Sequence, residues 1–445
     1  MKRNISFLLC LLIAFSLFTG CAQTDSGENS QNSGTADPIK LVWFTEQQDD
    51  VQLERTMKYI VEPFEEKYTN INIEVAPTAD YDQVLKIQLS SGAGPDICNM
   101  GGPAMTGEYV AGNKIIDLTD YIKKSGLDKV IFPWALDSCK IDDKYYSIPN
   151  SYEALLLWYN VDMFNEMGWK VPTNYAELEE TCTAIQAESL IPISFGTSNY
   201  KAINEQFVSV ALACYAGREN VKKALTNEIK WTDPIFNKSI TMLNDMWQRG
   251  WINDKKSHAI SGDDANALFY SQKAPMTMTG TWMLGGFKSE IVDFNYSAVL
   301  FPSLNEGVPP TLPLGAGGVF AINAASKFPD ESFKFIEFLF TNENTHAQAV
   351  ADGAQPLPID IDLDLFPETM SQIDKEIMGI LQDGQENIAS AGHVMWTYWP
   401  PRTRLYMMDN IENIYLNRLT VEQYLEETQK IFETEVAEGN LPVVP

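Results

Sequence analysis

Apolar residues recur along this chain in two alternating rhythms. Ile39 to Phe44 reads as a strand, Met57, Ile60, Val61 and Phe64 fall at helical spacing, and Asn72 to Ala76 alternates again as a strand. Val84, Leu85 and Leu89 mark another helix, which Gly92 and Gly94 stop before Pro95-Asp96-Ile97 enters the next strand. Repeated βα units of this kind predict a mostly parallel sheet with helices on both faces. Ligands of such sheets gather at the carboxyl ends of the strands, so the loops after Phe44 and after Cys98 are natural site walls. The far end is helical: Thr420 with Gln423 forms a capping box, and Val421, Tyr424, Leu425, Thr428 and Phe432 line one face. No internal repeat interrupts this order.

The first 20 residues follow a different pattern. Lys2 and Arg3 precede an apolar stretch from Ile5 to Phe18 that ends in Thr19-Gly20-Cys21. A positive start, a short apolar run and a small-residue cleavage site make a secretory signal. At about 14 residues the run is shorter than the roughly 20 needed to cross a bilayer. The Gly20-Cys21 junction resembles the bacterial lipobox, which implies that residues 1–20 are a lipoprotein signal peptide and Cys21 the lipidated terminus. Residues 21–38 are poor in large apolar side chains and cannot offset the entropy of ordering, so they read as a disordered tether. A flexible coil of about 17 residues would hold the body roughly 20–25 Å from its anchor. The roughly 400 residues from Ile39 onward exceed one core and predict two lobes.

Charge removes some functions from consideration. The chain carries 60 acidic residues against 32 basic ones, and Lys2 and Arg3 leave with the signal. Nucleic acid and anionic membrane are therefore poor partners. Cys98, Cys139, Cys182 and Cys214 show neither a C-x-x-C pair nor the density of a disulfide scaffold, and read as buried free thiols. His258, His346 and His393 are isolated, without metal-ligand spacing. No metal and no cofactor is implied.

Four motifs in order then resemble a known family. The run Tyr145-Tyr146-Ser147-Ile148-Pro149-Asn150-Ser151-Tyr152-Glu153, continuing through Trp158-Tyr159-Asn160-Val161-Asp162, resembles the segment in which solute-binding proteins of carbohydrate ABC transporters cross between lobes. Val171-Pro172-Thr173-Asn174-Tyr175-Ala176-Glu177-Leu178 is similar to the P-x-T-W-x-E-L that follows there. Met276 to Trp282 resembles the Gly-x-Trp motif of that family, and Gly315 to Ser326 its return strand in the first lobe. Maltose-binding proteins are the familiar relatives. The resemblance implies an α/β, two-lobe, periplasmic-binding-protein-like fold, each lobe a mostly parallel sheet flanked by helices, hinged by crossing strands. It implies crossings near Ile148–Ser151, Leu300–Pro302 and Gln355–Leu357. The first lobe is then 39–149 with 303–355, and the second 150–302 with 356–445.

The same resemblance implies a saccharide in the cleft, delivered by a monomer, lipid-anchored on the extracellular face of the cell membrane, to ABC permease subunits. A pyranose offers hydroxyls that carboxylates and amides satisfy, and an apolar face that aromatic rings cover. Glu153 matches the ligand-contacting acid after the first crossing, with a surface glutamate as the plain alternative. Trp282 matches the motif tryptophan that forms a sugar platform, against a core tryptophan. Asn204 and Gln206 match the polar loop of the second lobe, though Ser194 to Tyr200 could supply that wall instead. Glu46, Gln47 and Asp49 follow the first strand, where relatives place polar contacts, and Trp43 beside them reads equally as core. Asn99 and Gly101 remain as the polar part of the wall after Asp96, where maltodextrin binders carry a Trp and an Asp-Arg pair and this chain has Met100, Pro103 and Ala104. Trp396, Trp399 and Arg402 belong to an aromatic cluster whose prolines predict a loop, either stacking in the cleft or packing under the terminal helix. Lys201, Arg402 and Arg404 could meet an acidic sugar but read more simply as surface or structural charges.

Two other classes stay in view. A cell-surface glycoside hydrolase needs two carboxyls at a set separation across one bond, but no nucleophile motif such as G-x-S-x-G is present. Asp49-Asp50, Asp142-Asp143 and Asp263-Asp264 read as turns. A ligand-sensing lobe for a membrane receptor would share every residue named above and differ only in its partner.

Overall fold

The computed structural model describes residues 38–445 except 47, 80, 440, 442 and 445. The signal, Cys21, nearly all of the tether and Gln47 thus lie outside the described residues. β1 (Ile39–Glu46), β2 (Ile71–Thr78) and β3 (Ile97–Met100) open a first sheet. A small hairpin, β4 (Lys140–Ile141) with β5 (Lys144–Tyr145), stands apart. β6 (Ile148–Pro149) returns to the first sheet, and β7 (Tyr152–Asn160) begins a second one, so the chain passes between sheets at Asn150-Ser151. β8 (Ile193–Ser194), β9 (Met276–Gly280), β10 (Tyr296–Val299) and β11 (Pro313–Ala316) build the second sheet, β12 (Val319–Ile322) rejoins the first, and β13 (Gly392–His393) closes the second. The orders are β2-β1-β3-β12-β6 and β13-β11-β7-β9-β8, with β10 also on β7.

Alternation decides which faces are covered. In β1, Leu41 and Trp43 join the larger core while Phe44 faces the other side with Cys98, Met100, Val319 and Ala321. In β7, Tyr152, Ala154, Leu156 and Trp158 face that same larger core, whereas Leu155 and Leu157 join the second lobe's core. Helices complete the layers. Residues 50–67 run as one helix with a π-helical turn at Met57–Val61, and Asp49 and Gln52 close its capping box. Asp49 is thus a helix cap. The Pro172-Thr173-Asn174 motif does similar work: Asn174 caps the helix Tyr175–Ala187, and Thr173 donates from its backbone and hydroxyl to Glu177 at 2.8 and 2.7 Å. Cys98, Cys139, Cys182 and Cys214 are all buried and unpaired. Among the described residues no helix is long and apolar enough to cross a membrane.

Three expectations need correction. The sheets are mixed, not mostly parallel: β1 pairs in parallel with β2 and β3, but β12 runs antiparallel to β3 and β6. All three partners of β7, namely β9, β10 and β11, are antiparallel to it. Strands that return across a hinge must run back against those that left. The second passage also lies later than Leu300–Pro302. Leu304 still donates to the Cys214 carbonyl, and β11 pairs with the start of β7, so the chain re-enters the first sheet only past Gly317-Gly318. Finally, the prolines after Trp399 start a helix. Pro401 opens the helix Pro401–Tyr415, where a missing N–H costs nothing, and Met395–Tyr398 forms a short turn before it.

Candidate ligand-binding cleft

A cavity of about 700 Å³ opens between the two sheets. The first sheet contributes Glu46 at the end of β1, Asn99 and Gly101 at the end of β3, and Tyr81 from the intervening helix. These are the carboxyl ends of parallel strands, where side chains and free backbone groups turn outward. Asn150 and Glu153 come from the crossing. The second sheet contributes Ser194, the loop through Tyr200, Thr277, Thr279 and Trp282, and helices bring Glu205, Gln206, Trp396 and Arg404.

Of the residues singled out by sequence, Glu46, Asn99, Glu153, Gln206, Trp282 and Trp396 line this cavity, as does Trp43. Trp43 is core as well: its ring packs 5.1 Å from Phe335 while its indole N–H donates to Asn99 Oδ1 at 3.0 Å. Three others lie elsewhere. Asn204 faces away on its helix and donates to the Met408 carbonyl and Glu412 Oε1, both at 3.1 Å. Trp399 is fully buried in the second lobe's core, 5.5 Å from Trp231. Arg402 lies on the surface, paired with Glu438 and Glu435. Cys21 and Gln47 lie outside the described residues.

Arg404, two residues after Arg402, is the charge that enters the cleft. Its Nε–H donates to both carboxylate oxygens of Glu205, at 2.9 and 3.0 Å, and Glu205 is 1 % exposed. The signal that could have found it is Pro401 at the first helical position, which fixes the phase of the following helix. Lys201 pairs with Glu412 outside the cavity lining. Tyr81, Tyr200, Asn150 and Glu205 also line the cleft and carry no local motif.

Glycines make room for the polar and aromatic walls. A Cβ at Gly280 would overlap the six-membered ring of Trp282, so the Gly-x-Trp motif exists because the indole folds back onto the glycine. A Cβ at Gly317 would meet the Glu153 carboxyl at 2.6 Å. Trp282 meets Trp396 edge to face, ring centres 5.8 Å apart, which gives a two-ring corner on one side of the cleft.

The electrostatics are uneven. Burial pushes the Glu153 carboxyl up to about 8, nearby Glu46 adds to the rise, and Arg404 opposes it. The Trp396 indole N–H lies close enough to oppose the rise as well, without reaching hydrogen-bond geometry. Burial, then Asp82, raises Glu46. Burial also raises Glu205, against the pull of Arg404. A carboxyl raised by folding costs no stability below its unfolded value and takes stability away as pH climbs toward its folded value. In the ligand-free protein, Glu153→Gln should therefore melt like the parent near pH 5 and higher than it, by on the order of a few degrees, at pH 8–9. Equal melting temperatures at both pH values would show that Glu153 ionises at no cost.

The chain matches the family model of bacterial extracellular solute-binding proteins over residues 50–346. The multiple sugar-binding protein of Streptococcus mutans is 24% identical over 358 residues, covering 79% of this chain and 82% of that one. A maltodextrin-binding protein of Bacillus subtilis is 21% identical over 354 residues, covering 78% of each. Among solved structures, a chitin oligosaccharide binding protein superposes with a TM-score of 0.76 at 20% identity, covering 90% of this chain and all of that one.

Proposed function

The chain belongs to the bacterial extracellular solute-binding protein family, and from that premise we propose that it captures a mono- or oligosaccharide in the interlobe cleft and delivers it to the membrane permease of an ABC importer. The observation that carries this reading is the cleft itself. Carboxylates, amides and hydroxyls from both sheets converge beside the Trp282–Trp396 corner, the combination that a pyranose with polar rim and apolar face requires. Relatives named for sugars support it. Glu46, Asn99, Glu153, Gln206, Trp282 and Trp396 hold the ligand in this reading, joined by Arg404 as the partner of Glu205.

Ligand that touches both lobes favours their closed arrangement by the difference in its contacts there. A saccharide panel screened by thermal shift identifies ligands, since binding only the native state raises stability as RT ln(1 + [L]/Kd). A saccharide found in this way should shrink the particle in solution scattering and be recovered chemically intact after long incubation. A cut glycosidic bond, abolished in Glu153→Gln, would instead make Glu153 a catalytic acid; no saccharide that binds would overturn the sugar reading. Family members are binding proteins, and we extend that absence of catalysis to this chain.

The lipobox-like junction supports a lipid anchor at Cys21 on the extracellular face of the membrane. Cys21→Ala should then release the protein into the medium or abolish its detergent-phase partitioning. Unchanged membrane association would end the anchor proposal.

A further inference from the structure

The charge inventory of the cleft is lopsided. Among the described residues that line it, Arg404 is the sole Lys or Arg, against the carboxylates of Glu46, Glu153, Glu205 and Asp263. Glu205 is already committed to Arg404. Glu46 and Glu153 form no ion pair among the described residues; Arg404 opposes the rise of Glu153 only in part, and Glu46 is close enough to add to it. Asp82 stands behind them: Gly101 lies against its carboxylate, and its Oδ1 is buried with no hydrogen-bond partner among the described residues. It is a further carboxyl near that wall, outside the lining itself, and it raises Glu46. His346, also in the lining, does not balance them. Burial holds it down to about 4, and its Nε2 accepts the backbone N–H of Leu357, which requires the neutral ring.

A second observation marks this wall as built for an occupant. Trp396 is 6 % exposed and lines the cavity, yet its indole N–H makes no hydrogen bond of good geometry among the described residues. An unmade bond on a buried donor is costly, and an acceptor atom on a ligand seated beside Trp396 would remove that cost.

We propose that the ligand is a saccharide bearing a protonated amine, its ammonium held by Glu153 and Glu46 and its ring against the Trp282–Trp396 corner. This rests on the sugar reading above and names the substrate class within it. A neutral sugar leaves the mutual effect of the two carboxyls unrelieved, and an acidic sugar adds to it. An ammonium favours the ionised form of both carboxyls and makes charge-assisted hydrogen bonds to them, roughly twice as strong as neutral ones. Tyr81 and Tyr200 also line the cleft, and tyrosine rings attract a cation. The excess of 60 acidic over 32 basic residues steers the same ligand inward.

Calorimetry with matched saccharides tests the proposal on the full mature protein. The probes are β-1,4-linked oligomers of glucose, glucosamine and N-acetylglucosamine, and the gluco, galacto and manno monosaccharides with hydroxyl, amine or carboxylate groups. Within the scaffold that binds, the amine member should bind at least ten-fold tighter than its counterparts. Glu153→Gln and Glu46→Gln should each cut that preference, the ratio of amine to hydroxyl affinity, about ten-fold. A hydroxyl, acetamido or carboxylate member that binds as tightly as the amine overturns the inference and leaves the sugar reading standing. An amine preference that survives both substitutions overturns the placement. Binding by no member of any set overturns the sugar reading, and this inference with it.

Discussion

Arg404→Ala should be the most damaging single substitution in the cleft, lowering unfolding free energy by about 3–5 kcal/mol. Glu205 is 1 % exposed and the Arg404 side chain only 16 %, so removing the guanidinium leaves a desolvated carboxylate whose opposite charge is gone. Breaking one side of such a pair costs far more than the intact pair contributes, because the remaining charge has no water to return to. Glu205 can escape the penalty by taking up a proton, and burial already raises its proton affinity. The deficit should therefore be smaller near pH 5 and grow toward pH 8, as the proton is lost. Adding Glu205→Gln to Arg404→Ala should recover most of the lost stability at pH 8, which also keeps the test readable if the single variant fails to fold. Denaturant titration of the parent and the two variants at both pH values measures this through the midpoints. A single variant within about 1 kcal/mol of the parent at pH 8 would show that Glu205 reaches solvent.

Trp282→Ala should weaken saccharide binding by about 2–4 kcal/mol, thirty-fold or more, with the fold preserved. The ring is half-buried, packs edge to face on Trp396, and supplies the flat apolar area that a pyranose face covers. Gly280→Ala should reproduce much of that loss although residue 280 presents no side chain to the ligand. A methyl group there overlaps the six-membered ring of Trp282, so the indole must swing away from its place over the glycine. Loss of Trp282 fluorescence change on ligand addition in Gly280→Ala would locate the effect in the ring. Normal affinity in Trp282→Ala would move the platform to another ring of the cleft.

What sequence alone determined about this protein is what neighbouring residues decide between themselves. Strand and helix periods from Ile39 to Met100 match the elements found, as does the Thr420–Gln423 capping box, because covering a face or closing a cap needs only residues a few positions apart. Glu153 and Trp282 were picked out by the resemblance of the short motifs that hold them, and both line the cavity. Tertiary structure decided the rest. Successive helical residues point about 100° apart, so Asn204 turns to Glu412 while Glu205 and Gln206 reach the cleft. That same rotation, begun at Pro401, sends Arg402 to the surface and Arg404 inward. No local pattern distinguishes those arginines; what separates them is Glu205, 199 residues away. Trp396 and Trp399 stand three positions apart in one cluster, yet one lines the cavity and the other fills the second core, according to which distant surface each meets. Strand direction was likewise a matter of the hinge: a chain that crosses between lobes and comes back lays its return strands antiparallel, and that follows from the path of the whole chain, not from the residues of any one strand.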